Sequence, residues 1–143
     1  MVSRISVILF LTLLLCVFSW PIHAEVRPIH FSPGASSTVV SGAVVRGTRD
    51  IFSIEARKGQ QALFKVNSIE KNAALVIWRP GAKVLSGEFV DIEGKTLPHA
   101  GEEDDASQWH GRLPESGEYL IVIAPTRGNA TYKFSVSITG QGD

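Results

Sequence analysis

Residues 119–124, Tyr-Leu-Ile-Val-Ile-Ala, are apolar at every position, and a turn rich in Pro and Gly, 113–117, leads into them. A strand with one wet face alternates apolar and polar side chains, whereas a strand apolar throughout needs cover on both sides. The run therefore predicts the central strand of a two-layer β domain. Tyr119, two residues past Gly117, has an aromatic body to bury and a hydroxyl that needs a partner. A Tyr at a sandwich corner commonly ties that hydroxyl to turn backbone, so a structural role is expected for it.

Other strands can be read around this one. Residues 132–139 place Tyr132, Phe134, Val136 and Ile138 on one face and Lys133, Ser135, Ser137 and Thr139 on the other, the pattern of a half-buried strand. Residues 61–67 alternate in the same way, with Ala62, Phe64 and Val66 pointing inward. The second strongly apolar strand, 73–78, stops at Arg79-Pro80-Gly81, a strong turn signal. Further strands are expected at 38–45, 51–56 and 109–113, with an edge strand within 25–33 and a short one within 84–90. In 38–45 the pair Ser41-Gly42 breaks the run, and a glycine there marks a bulge or a close backbone approach.

Residues 46–50 read as a hairpin-like loop, and the Lys58-Gly59 turn is expected to join 51–56 and 61–67 as a hairpin. Between 91 and 108 the pattern dissolves into the longest connection of the chain. No stretch sustains a helical period. The expectation is an all-β chain forming a single antiparallel β-sandwich of seven to eight strands over residues 25–143.

The N-terminus sets the compartment. Arg4 precedes the apolar run 5–18, and Pro21-Ile22-His23-Ala24 ends in a small residue suited to cleavage, so 1–24 reads as a secretory signal peptide. The run is short for a membrane span, which needs roughly twenty residues. Cleavage after Ala24 is expected to leave a periplasmic or secreted domain with no membrane segment. Cys16 lies within the signal, so the domain has no cysteine and forms no disulfide. Leu15 stands where a lipoprotein signal would carry a small residue.

Arg4 is the only charged residue of 1–24, which leaves 13 of the 14 Lys and Arg against all 14 Asp and Glu in 25–143, a net charge of −1. Nucleic-acid binding wants a strongly basic face, and near-neutrality removes the case for it. For catalysis the chain has no Gly-x-Ser-x-Gly elbow, no His-Glu-x-x-His and no phosphate-cradling glycine loop. Ser41, Ser86 and Ser116 each adjoin a glycine, which turn chemistry explains. Asp91 and Glu93 share a face in a polar region with nothing apolar nearby to raise a pKa. The acidic run 102–105 lacks the Asp-x-Asp-x-Asp-Gly spacing that arranges ligands around calcium. His99 and His110 flank it without a cysteine to complete a zinc set. No metal, cofactor or enzymatic activity is expected.

The order of signals resembles a known group. Ser36-Ser37, Ser41-Gly42, Asp50, the Ala56-x-Lys58-Gly59-Gln60 turn, Leu75, Pro80-Gly81, the Gly111-x-Leu113-Pro114-x-Ser116-Gly117-x-Tyr119 segment, Thr126-Arg127 and the closing Tyr132-Lys133-x-x-Val136 resemble the periplasmic inhibitors of goose-type (g-type) lysozyme. The same skeleton is similar to the bacterial pre-peptidase C-terminal β-sandwich domains. The resemblance spans nearly all of 25–143, and most matched positions are turn and core residues.

It implies a lysozyme as protein partner, blocked by rigid polar loops that fill its glycan cleft and satisfy the catalytic carboxylate there. Those loops fall at 46–50 and 125–129, which makes Arg46, Thr48, Arg49, Arg127 and Asn129 the expected partner-binding residues. Arg127 stands at the Thr-Arg position. Two departures are visible: Gly47-Thr48 replaces a tyrosine of the inhibitors' first loop, and a longer basic insertion is missing between Asn129 and Tyr132.

Sandwich loops cluster at two ends, so Arg46, Arg49 and Arg127 are expected to form one cationic patch if their loops share an end. The plainer reading is three solvated arginines, one of them paired with Asp50. An alternative function is a carbohydrate- or envelope-binding module that takes cell-wall glycan by stacking sugars on Trp109, while Trp78, inside an apolar strand, is expected in the core. A third reading is a stability or assembly factor with no small ligand.

Overall fold

The structure is a computed structural model and describes residues 25–86 and 90–143; the signal peptide 1–24 lies outside them, as does part of the strand expected within 84–90. Ten strands are described: β1 (Val26–Pro28), β2 (Ser37–Val44), β3 (Asp50–Ala56), β4 (Gln61–Ser68), β5 (Ala73–Trp78), β6 (Lys83–Leu85), β7 (Asp91–Glu93), β8 (Gln108–Arg112), β9 (Gly117–Pro125) and β10 (Ala130–Thr139). Two four-stranded sheets, β1-β3-β9-β5 and β2-β10-β4-β8, face each other, and β6 and β7 form a separate ribbon. The sandwich is all-β, as expected, with ten strands instead of seven to eight. Of the three-residue strands, β1 lies within the edge strand expected at 25–33 and β6 overlaps the short one expected within 84–90, whereas β7 falls in the stretch read as a connection. All pairing is antiparallel except between β1 and β3, where Val26 lies beside Ile51 in parallel register.

β9 occupies the interior of its sheet, between β3 and β5. Tyr119, Ile121 and Ile123 face the opposite sheet and are wholly buried within the main core. Leu120 and Val122 point outward, where Ile51, Trp78 and Ile92 pack on them together with half-buried Val76 and Val84. The ribbon β6–β7 is thus the cover that a doubly apolar strand requires. Trp78 is in the core, as expected. At the corner before β9, the Tyr119 hydroxyl donates to the Glu115 carbonyl at 2.7 Å and accepts from the Glu115 N–H at 3.1 Å. That confirms its tie to turn backbone.

Both expected hairpins are absent. β3 and β4 lie in opposite sheets, so the 57–60 turn carries the chain across the sandwich, and the 45–49 loop does the same between β2 and β3. In the two main sheets no strand pairs with its neighbour in sequence. Alternation tells which face of a strand is buried but not which strand lies beside it. The 57–60 turn is held by distant backbone instead: Gly59 N–H donates to Leu113 C=O, and Leu113 N–H donates to Gln60 C=O, each at 2.8 Å.

The 91–108 segment is also more ordered than its composition suggests. It supplies β7 and then runs along the outer edge of β5, donating from Leu97 N–H to Ile77 C=O and accepting from Ile77 and Leu75 at Ala100 and Ala106. Leu97 and Ala100 are buried in the core. An edge strand left bare is a template for unwanted pairing, and this segment covers one.

Ser41-Gly42 does not break β2, whose pairing to β10 continues through it, with Tyr132 opposite Gly42. The glycine marks a close approach, one of the two options read from sequence. A Cβ at position 42 would lie 2.5 Å from the Tyr132 hydroxyl and 2.6 Å from the ring carbon that bears it.

Ile92 is the buried residue of β7, flanked by exposed Asp91 and Glu93. Truncating a buried isoleucine costs about 2–5 kcal/mol. Ile92→Ala is therefore expected to lower the midpoint of denaturant unfolding substantially, and Val84→Ala, at a half-buried site, much less. Equal, small effects of the two would show that the ribbon adds nothing to the cover of β9.

Candidate functional site

At one end of the sandwich three crossings between sheets come together. The 45–49 loop leaves β2 at Val44, which pairs with Ala130 at the start of β10, so it rises beside the 126–129 loop. Arg46 N–H donates to Asn129 Oδ1 at 2.9 Å, fastening the two. The third crossing, 69–72, joins β4 to β5, and Arg127 Nη2 donates to its Glu70 carbonyl at 2.5 Å. The loops 46–50 and 125–129 therefore share an end and touch.

Individual site residues divide by what their side chains do. The Thr48 hydroxyl donates to Val45 C=O at 2.7 Å and accepts from Val45 N–H at 3.1 Å, closing its own turn. The Arg49 guanidinium, part-buried, donates to Val90 C=O. Asn129 gives its amide oxygen to Arg46. The Arg46 side chain is exposed and makes no hydrogen bond or ion pair among the described residues.

Asp50 pairs with Arg27 at 2.9 Å instead of with a loop arginine, so the plainer reading is corrected in that detail. No acid among the described residues neutralises Arg46, Arg49 or Arg127.

Two supports of this end have no local signal in sequence. Asn72 is buried, and its side-chain amide donates to the carbonyls of Arg127 at 3.1 Å and Asn129 at 2.8 Å, partners 55 and 57 residues away. Its own N–H donates to Ser68 Oγ at 2.9 Å, and its C=O accepts from Thr126 N–H at 2.8 Å. Beneath the first loop, the Tyr132 hydroxyl donates to Asp50 across the gap between sheets, and Arg27 in turn lies over the Phe52 ring at 4.5 Å. Burial first, then the hydrogen bond to the Asp50 carboxylate and its charge, push the Tyr132 pKa far above its ordinary 10.0.

Trp109 stands on edge strand β8, away from these loops in the topology. Its ring faces Phe64, with centroids 6.2 Å apart, and its indole N–H donates to Pro98 C=O at 2.9 Å. It packs half-buried against the core. Among the described residues no three His, Cys, Asp or Glu side chains gather in a way that would hold a metal ion.

Asn72→Ala removes two part-buried hydrogen bonds to the carbonyls of exposed Arg127 and Asn129, each worth about 0.5–1.5 kcal/mol. The expected outcome is a fall in unfolding free energy together with faster amide exchange at Arg46, whose acceptor Asn129 loses its anchor. A stable variant with unchanged exchange at Arg46 would show that Asn72 does not hold the loop.

Tyr119 and Tyr132 both ionise above the ordinary 10.0 when folded, Tyr119 mainly because of burial. As pH rises past about 10 the unfolded chain gives up these protons first, so stability is intact below that pH and falls above it. Tyr132→Phe is expected to flatten the alkaline decline in unfolding free energy. An unchanged slope would contradict the assignment.

No family model matches the chain, and no curated protein matches it in sequence. Solved structures do. The chain is similar to PliG of Aeromonas hydrophila, a periplasmic inhibitor of g-type lysozyme: identity is 26%, coverage 80% of this chain and 96% of that one, and the TM-score 0.60. PliG of Salmonella Typhimurium, also a periplasmic inhibitor of g-type lysozyme, matches at 21% identity over 82% of this chain and 100% of its own, with a TM-score of 0.56. The pre-peptidase C-terminal domain of a Bacillus anthracis collagenase matches at 14% identity over 80% and 97%, with a TM-score of 0.53. These last two share the fold, and the resemblance drawn from turns and core residues is matched by structures of both groups it named.

Proposed function

We propose that this chain is a periplasmic or secreted, non-catalytic inhibitor of a lysozyme, g-type favoured, that inserts its 46–50 and 125–129 loops into the enzyme's glycan cleft. Similarity to the Aeromonas hydrophila inhibitor over nearly all of that protein's length supports the inhibitor role. One contact carries the mechanism: the 2.9 Å bond from Arg46 N–H to Asn129 Oδ1 makes two loops, far apart in sequence, a single tip.

A glycosidase cleft holds carboxylates on either side of the scissile bond. A guanidinium meets a carboxylate with charge-assisted, often paired, N–H donors. Arg46 brings an exposed guanidinium, and Arg127 has donors left after its single bond to Glu70. Thr48, Arg49 and Asn129 hold the shape of the tip through their own turn, Val90 and Arg46. A tip held by such bonds before binding loses little conformational entropy on insertion, which favours tight association.

Stoichiometric titration against goose-, chicken- and invertebrate-type lysozymes tests the role, with inhibition expected of the goose type. Losing a hydrogen bond to a charged group costs about 1.5–3 kcal/mol, so Arg46→Ala is expected to weaken inhibition roughly ten- to hundredfold. Inhibition of none of the three would overturn the proposal. Quenching of tryptophan fluorescence by peptidoglycan fragments without enzyme would point to glycan binding at Trp109 instead.

A further inference from the structure

At the crossing from β4 to β5, Ile69 leaves 96% of its surface in solvent, well beyond the 60% of Val39 and 58% of Val45. Single exposed hydrophobes are ordinary on protein surfaces. What sets Ile69 apart is that its turn is held on both sides. Lys71 N–H donates to Ser68 C=O at 3.1 Å, Asn72 N–H donates to Ser68 Oγ at 2.9 Å, and Lys71 takes a left-handed φ of 52°.

The neighbouring Glu70 carbonyl receives the Arg127 guanidinium, and buried Asn72 clamps the 126–129 loop. Ile69 is therefore fixed in place relative to Arg127 and, through Asn129, to Arg46. It also borders a shallow depression formed with Ser41, Asn67, Thr131 and Lys133 on the outer face of the second sheet. An apolar side chain rimmed by polar ones on a rigid support is the composition of an interface centre.

We propose that the 69–72 turn is a third contact loop of the same tip, with Ile69 as its apolar anchor against a nonpolar patch on the rim of the lysozyme cleft. This rests on the lysozyme assignment above. Continuity selects that occupant, because Arg127 is bonded to the turn that carries Ile69 and a partner engaging one meets the other. The two kinds of contact divide the work: the arginines satisfy charge, and Ile69 contributes by leaving water. A turn already ordered in the free protein adds that gain without a folding cost on binding.

The test is the affinity of the purified protein for a g-type lysozyme, by calorimetry and by inhibition titration, for wild type, Ile69→Ser, Ile69→Leu and Val39→Ser. From the transfer free energy of a buried isoleucine, Ile69→Ser is expected to weaken binding about ten- to hundredfold, with Ile69→Leu within about threefold of wild type. Val39→Ser, at mid-strand of β2, is expected to bind as wild type does. Thermal midpoints of wild type and the two Ile69 variants should agree, since Ile69 buries almost nothing in the free protein.

If wild type binds and Ile69→Ser binds equally well, or if Val39→Ser loses as much as Ile69→Ser, the third loop is overturned while lysozyme inhibition stands. If wild type binds no lysozyme, the functional assignment itself falls and this inference with it.

Discussion

Cover on both faces of β9 is the constraint from which the rest of the architecture follows. Inside the sandwich Tyr119, Ile121 and Ile123 meet the second sheet; outside, Leu120 and Val122 would meet water without Ile92 and Trp78. Burying a side chain of that size is worth about 1.5–3 kcal/mol, a large share of the margin by which a domain is stable. The ribbon that supplies the cover leaves the chain on the outside of the first sheet. It must return to β8 at the edge of the second, and it does so along β5, closing that side of the core with Leu97 and Ala100. The segment that looks least structured in composition is therefore the one that joins the two layers along an edge.

The sequence made some of this legible. A continuous apolar run can only be central, and a Tyr two residues after a turn glycine can only bury its ring by satisfying its hydroxyl nearby. Both statements concern a residue and its immediate surroundings, and both held. Pairing is different, because β3 and β4 carry the right alternation for a hairpin and still lie in opposite sheets. Strands of identical pattern are interchangeable until the layers are assembled, so hairpins read from short loops were the weakest inference.

The candidate site depends on assembly in the same way. Sandwich geometry allowed 46–50 and 125–129 to share an end but equally allowed opposite ends, and only the assembled structure brings them together. The destinations of the side chains were not legible either: Thr48 turns onto Val45, Arg49 onto Val90, and Asp50 takes Arg27 in place of a loop arginine. Asn72 could not be found in sequence, since its role consists of partners more than fifty residues distant. A buried amide at the first turn of an apolar strand is a polar group whose partners only the assembled layers supply.

The shared scaffold also separates architecture from activity. Inhibitors and a collagenase domain share the fold of this chain, so the fold alone assigns no activity, and the candidate site lies at one end of the sandwich. Here that end is built from crossings, and each loop of the tip is rooted in both sheets.

Tyr132 ties the root of one such crossing to the opposite layer through Asp50, and it fits only because position 42 has no side chain. Any residue larger than glycine at 42 would have to be matched by a smaller one at 132, and that replacement would leave Asp50 without its hydroxyl donor. The two positions are thus sterically coupled. A side chain added at 42 would displace Tyr132 and with it the bond that ties the root of the loop above to the opposite sheet, so the form of the exposed tip depends on an atom that is absent.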